Sequence, residues 1–150
     1  MFLGHYQHNL DDKGRLMIPA RFRDLLAGNS AFITQGFDKC LAVMTENHFQ
    51  QVYEQIESMN LTDPNARLLR RLILANAYPV EVDKVGRILV PQTLRAFLQI
   101  ESEAVVVGQG PYFEVWKPAD WKIQMDAMQD VETNNVRLAT LQISTKNSAS

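Results

Sequence analysis

The chain contains itself twice, and no other feature constrains its fold as much. At a displacement of 72 residues, Leu10-Asp11-Asp12-Lys13-Gly14-Arg15-Leu16-Met17-Ile18-Pro19 lies over Val82-Asp83-Lys84-Val85-Gly86-Arg87-Ile88-Leu89-Val90-Pro91. The ungapped match runs from Tyr6 to Phe49 with 10 identities in 44 positions: Tyr6, Asp11, Gly14, Arg15, Pro19, Arg23, Leu26, Ser30, Gly36 and Val43 each recur. Two copies are too few for a solenoid, which needs about three or more stacked repeats. Each copy is too small to bury a good core alone, so the two halves are expected to pack together around a pseudo-twofold axis.

Short apolar runs bounded by Gly, Asp and Pro predict strands near 3–9, 15–18, 31–35 and 40–44, echoed near 78–82, 87–90, 104–108 and 112–116. A short helix is expected behind Pro19 and again behind Pro91, since proline is well tolerated where a helix begins. Phe49, Val52, Tyr53, Ile56 and Met59 recur at spacings of three and four and predict an amphipathic helix with Thr45 as its N-cap. The second copy repeats it from Pro118 through Trp121, Met125 and Met128. Thr62-Asp63-Pro64 opens a further helix, with Leu68, Leu69, Leu72 and Ile73 on one side and Arg67, Arg70 and Arg71 on the other. The organisation expected is a first repeat with its helix over 1–60, a connecting helix over 61–77, a second repeat with C-terminal helices over 78–143, and a disordered tail over 144–150. The class is α+β, mainly β.

Charge limits the partners. With 15 basic and 17 acidic residues, the 150-residue chain carries a formal net charge of -2, so it is no polycation and any anion-binding surface must be local. The single cysteine, Cys40, makes neither an internal disulfide nor a thiolate zinc cluster, which fits a reducing cytoplasm. The N-terminus has no basic segment leading into an apolar one, and no apolar run approaches the ~18 residues of a membrane span. A soluble cytoplasmic protein without membrane attachment, metal or cofactor is expected.

The chemistry concentrates in the repeated Asp-x-x-Gly-Arg string. Asp11 and Arg15, like Asp83 and Arg87, are four apart, but Gly14 and Gly86 inside the motif and the strand run after it indicate a hairpin turn. In such a turn the aspartate accepts from turn amides while the arginine is fixed at the start of the outgoing strand. One reading is a simple Asp–Arg staple of the turn. The other is surface recognition, in which two rigid loops present planar guanidiniums suited to phosphate or to the O6 and N7 of guanine, with Lys13 and Lys84 adding charge. Retention of the motif in both copies favours the second.

The strings D-D-K-G-R-L-M-I-P and D-K-V-G-R-I-L-V-P, each ahead of a short helix, resemble the signature of the MraZ family, whose tandem modules are of the AbrB or SpoVT type. The resemblance extends from Met1-Phe2 through R-R-L-I-L-A-N-A to V-V-V-G-Q-G-P-Y-F-E-V-W. It implies a swapped-hairpin AbrB-like barrel in which two halves of one chain replace the two chains of a dimer. It further implies a bacterial transcriptional regulator, forming homo-oligomeric rings, that binds direct repeats in double-stranded promoter DNA and represses the division and cell-wall gene cluster including its own operon. A nucleoid association follows from that role. The DNA-contacting residues it implies are Lys13, Arg15, Lys84 and Arg87, supported by Asp11, Gly14, Asp83 and Gly86.

Other classes compete less well. Asp11, Asp12 and Asp83 invite comparison with a catalytic acid/base pair, but no Ser, Cys or His is duplicated beside them and no phosphate-binding glycine loop is present. His5 and His8, three apart on a strand, point to opposite faces and do not share an ion. Tyr6, Tyr78, Trp116 and Trp121 fit core packing better than base stacking. The arginine face of the connecting helix is expected to meet another subunit. A structural or antitoxin-like oligomer, with incidental basic loops, is the alternative to a promoter-reading protein.

Overall fold

A computed structural model describes residues 1–141. The first half runs β1 (His5–Asn9), β2 (Arg15–Met17), α1 (Ala20–Leu25), a 3-10 turn, β3 (Ser30–Gln35), β4 (Cys40–Met44) and α2 (Glu46–Glu57). After α3 (Pro64–Arg70) and a π turn (Arg71–Ala75), the second half runs β5 (Tyr78–Glu81), β6 (Arg87–Leu89), α4 (Gln92–Leu98), β7 (Glu103–Gly108), β8 (Tyr112–Trp116) and α5 (Pro118–Gln129), followed by α6 (Val131–Leu138). The expected tail over 144–150 lies outside the described residues.

Six strands form one antiparallel sheet in the order β1-β7-β8-β4-β3-β5, and β2 pairs with β6 in a separate two-stranded ribbon. The first strand of each half pairs with the third strand of the other: Tyr6 lies opposite Val106, and Tyr78 opposite Ile33. The pseudo-twofold axis passes between Ala42 and Glu114 on β4 and β8, and between Leu16 and Ile88 on the ribbon. The ladder itself is open, with β1 and β5 as edges, and does not close into a barrel.

The repeat is not gapless in three dimensions. Ile33 pairs with Val43 where Val106 pairs with Val115, so positions 33 and 106, which are 73 apart, are equivalent. The second half carries its extra residue at the end of α4, where Gln99 adopts a left-handed φ of 59°. The next hairpin returns it, since three residues join β7 to β8 where four join β3 to β4. The matches of Ser30 to Ser102 and Gly36 to Gly108 are therefore coincidences of the ungapped alignment. A one-residue slip would turn every side chain of a strand to the opposite face, and the observed register keeps Ala31, Ile33, Ala104 and Val106 in the core.

That core draws equally on both halves. Leu16 and Ile88 on the ribbon, Phe22 on α1, Leu94 on α4, and Val43 and Val115 on the sheet belong to one buried cluster. On the other face of the sheet, Phe32 stacks on Phe49 of α2 at 4.3 Å, His48 stacks on Tyr112 at 5.8 Å, and the Thr34 hydroxyl donates to the Ile73 carbonyl. Thr45 caps α2 as expected, its hydroxyl accepting from the His48 amide at 3.1 Å. Thr45→Ala is expected to cost about 1 kcal/mol, measured by urea denaturation.

Two local expectations change. Leu68 is 61% exposed while Ile73 is buried, because the wider π turn alters the phase of the residues that follow it. Tyr78 stays at the surface, with its hydroxyl 3.4 Å from that of Thr93, whereas its counterpart Tyr6 packs edge-on against Phe22. Met1–Pro118, which holds all eight strands, forms one compact body, and the described residues from Ala119 onward form a second unit. In that unit Asp130 caps α6 at Thr133, and the Asn134 amide donates to the carbonyls of Ala127 and Met128 at the end of α5. No helix among the described residues is long and apolar enough to cross a membrane.

Candidate nucleic-acid interface

Both motif loops fold in the same way. Asp11 Oδ1 accepts from the amides of Lys13 at 3.1 Å and Arg15 at 2.8 Å, and Asp83 Oδ1 accepts from those of Val85, Gly86 and Arg87 at 2.9 to 3.0 Å. Each turn closes through a glycine amide donating to the aspartate carbonyl, with Gly14 at φ +86° and Gly86 at φ +100°. Only glycine adopts such angles without strain.

The second carboxylate oxygen takes the arginine. Arg15 Nε donates to Asp11 Oδ2 at 2.7 Å, and Arg87 Nε donates to Asp83 Oδ2 at 3.0 Å. The staple and the exposed guanidinium are thus the same object: the aspartate occupies Nε and fixes the plane, while the Arg15 and Arg87 side chains remain 35% and 25% exposed. Arg87 also reaches across the axis, its Nη1 lying 3.5 Å from Asp11 Oδ2.

The β2–β6 pairing unites the loops. Leu16 and Ile88 point inward, so Arg15, Met17, Arg87 and Leu89 share the outer face, with Arg15 opposite Leu89 and Met17 opposite Arg87. Lys13 and Lys84 stand exposed in the two turns. All eight motif residues named from the sequence are therefore gathered at one ribbon and its turns.

Hydrogen bonding holds the carboxyls of Asp11 and Asp83 below the usual carboxylate range. The largest cause is the backbone amide of Arg15 or Arg87, and burial opposes it. A carboxyl whose folded pKa is depressed contributes above its unfolded value of ~3.9 and ceases to do so as pH falls through the folded value. Carbon-detected NMR titration should give midpoints for both groups below ~3.9, with loop order constant from neutral pH down to ~5. The direction is opposite to the raised value that a general acid needs.

The remaining candidates disperse. His5 is exposed and His8 half-buried on opposite faces of β1, and burial followed by the charge of Arg23 lowers the His8 pKa. Burial, followed by the charge of the neighbouring Glu114 carboxylate, pushes the Cys40 thiol pKa up and leaves it unreactive. Arg70, expected at a subunit contact, pairs with Glu57 of its own chain at 2.8 Å, and Arg67 donates to the carbonyls of Leu61 and Thr62.

Two arginines outside the expected set lie on the loops. Arg95 of α4 covers Gly14, and Arg23 of α1 covers Gly86. Their signal was in the repeat: position 23/95 is its one charged identity outside the Asp-x-x-Gly-Arg string.

These features define a tandem-repeat protein in which two exchanged β-rich halves build one arginine-bearing ribbon. The chain belongs to the MraZ family: the family model described as "MraZ protein, putative antitoxin-like" matches residues 1–72 and again 73–142. A relative from Thermomicrobium roseum named Transcriptional regulator MraZ is 44% identical over 143 residues, covering 94% of this chain and 99% of that one. Relatives of the same name from Desulforamulus reducens and Nitrosospira multiformis are each 41% identical, covering 81% and 85% of this chain and 84% and 88% of theirs.

Proposed function

We propose that the chain is a sequence-specific DNA-binding transcriptional regulator, and that Arg15 and Arg87 read promoter DNA while Lys13 and Lys84 act mainly on phosphate. The observation that carries this reading is the outward pair of aspartate-fixed guanidiniums on one two-stranded ribbon. A two-stranded ribbon fits the major groove, where arginine reads guanine in bidentate fashion. The two arginines are displaced by two residues along the ribbon, about 7 Å, or roughly two base-pair rises. The names of the relatives support regulation of transcription.

In the finer form of this reading, repeats 1–60 and 78–143, joined by 61–77, correspond to the two chains of an AbrB-type dimer with exchanged hairpins, here built around an open ladder. The protein acts in the cytoplasm at the nucleoid, as a homo-oligomeric ring on direct repeats, repressing the division and cell-wall cluster and its own operon. One chain carries few phosphate contacts and binds feebly. Several chains on matched repeats gain ~10²-fold or more in avidity, because each later contact is intramolecular.

The test is titration of the purified protein against its own upstream DNA and a scrambled duplex at ~0.15 M salt, with mass measured in parallel. Repeat-specific binding by an oligomer is expected. An oligomer without preference for the repeats would instead make this an antitoxin-like or structural module.

A further inference from the structure

We infer that Arg23 and Arg95 are positioning residues of the reading surface, each holding the motif loop of the opposite half. The inference rests on the DNA-binding reading for its consequence, but its geometry stands apart from DNA.

Arg95 belongs to the second half, yet its guanidinium lies against the first half's turn. A Cβ placed on Gly14 would come within 2.5 Å of both Cζ and Nε of Arg95. Arg23 of the first half lies against Gly86 in the same manner, with Cζ 2.8 Å from where that Cβ would be. The glycines therefore meet two demands at once. They supply the positive φ of the turn, and their missing side chains leave room for a planar cation to lie on the peptide.

Hydrogen bonds extend the crossing. The Val90 amide donates to the Gly14 carbonyl at 2.9 Å, and Arg95 Nε donates to the Val90 carbonyl at 3.0 Å. This relay runs from α4 through the end of β6 into the opposite loop. The mirror bond from the Ile18 amide to the Gly86 carbonyl is present at 3.0 Å, but Arg23 Nε is buried without a hydrogen-bond partner among the described residues. The hold of Arg95 on Gly14 is thus the firmer, and each reading loop is assembled from both halves of the chain.

The experiment uses the full chain and the variants R95A, R95K, R23A and R23K. Amide and carboxyl NMR without DNA should show R95A and R95K shifting the Gly14 amide and the Asp11 titration while leaving Gly86 and Asp83 in place. R23A and R23K should do the reverse and more weakly. With promoter DNA, R95A should lose about tenfold in affinity, a loss comparable to one mismatched base pair, at an unchanged salt slope. A direct phosphate ligand would instead flatten that slope by about one.

The inference is overturned if each substitution disturbs the loop of its own half, or if the loop signals stay still while the slope flattens. Full recovery of loop signals and affinity by R95K would also overturn it, since charge alone would then suffice. Should R95A fail to fold, R95K carries the same NMR test. A wild type with no preference for its repeats would refute the DNA-binding reading, while the crossed loop responses would still decide the positioning role.

Discussion

Replacing Arg15 and Arg87 together by alanine is expected to lower affinity for repeat-bearing promoter DNA by on the order of 10²- to 10³-fold without unfolding the protein, since one good arginine–base pairing is worth ~1–3 kcal/mol. The fold survives because neither guanidinium supports the core: Leu16 and Ile88 carry the ribbon's burial. The Asp11 and Asp83 turns also keep their backbone hydrogen bonds. Lys84→Ala is expected to behave differently, weakening binding to every sequence alike and reducing the salt slope by ~1. Fluorescence anisotropy at several salt concentrations, with mass checked by light scattering, separates the two. Equal and small losses for both variants would refute the division of labour.

Phe22→Ala is expected to be the most damaging single core change, costing about 3–5 kcal/mol. The ring is fully buried, with centroids 5.2 Å from Phe2, 5.1 Å from Phe113 and 5.6 Å from Tyr6, so its loss leaves a cavity bounded by three other rings. Small domains have only ~5–15 kcal/mol of stability in total, so much of it would be removed. A fall in melting temperature of about 10 °C or more should be seen by calorimetry. A drop of only a degree or two would mean that the surrounding aromatics collapse into the space.

Local chemistry was readable from the sequence because it is written locally. Gly14 and Gly86 between an aspartate and a strand announce a turn, Thr45 ahead of an amphipathic run announces a cap, and Pro19 and Pro91 mark helix starts. Long-range pairing is not written that way, and the expectation of exchanged hairpins comes from the family resemblance alone. Nothing in the pattern of β1 says that it pairs with β7 rather than with a strand of its own half, since either choice buries the same face. The extra residue at Gln99 was hidden because a later hairpin returns it, so an ungapped match spans it with little penalty. The Arg23 and Arg95 crossing depends on that exchanged topology, so their recurrence marked them without revealing their partners. The branching of Asp11 to Arg87 escaped for the same reason.

The two loops share a fold and differ in content. One reads Asp-Asp-Lys-Gly-Arg and the other Asp-Lys-Val-Gly-Arg, and the first aspartate serves two arginines where the second serves one. A homodimer shows the same loop twice and is matched by a palindrome. Covalent joining of the halves removes that obligation, because each loop is encoded separately. The resulting surface has a head and a tail. A duplex complementary to it would have a direction along its axis, where the duplex matched to a homodimer has none.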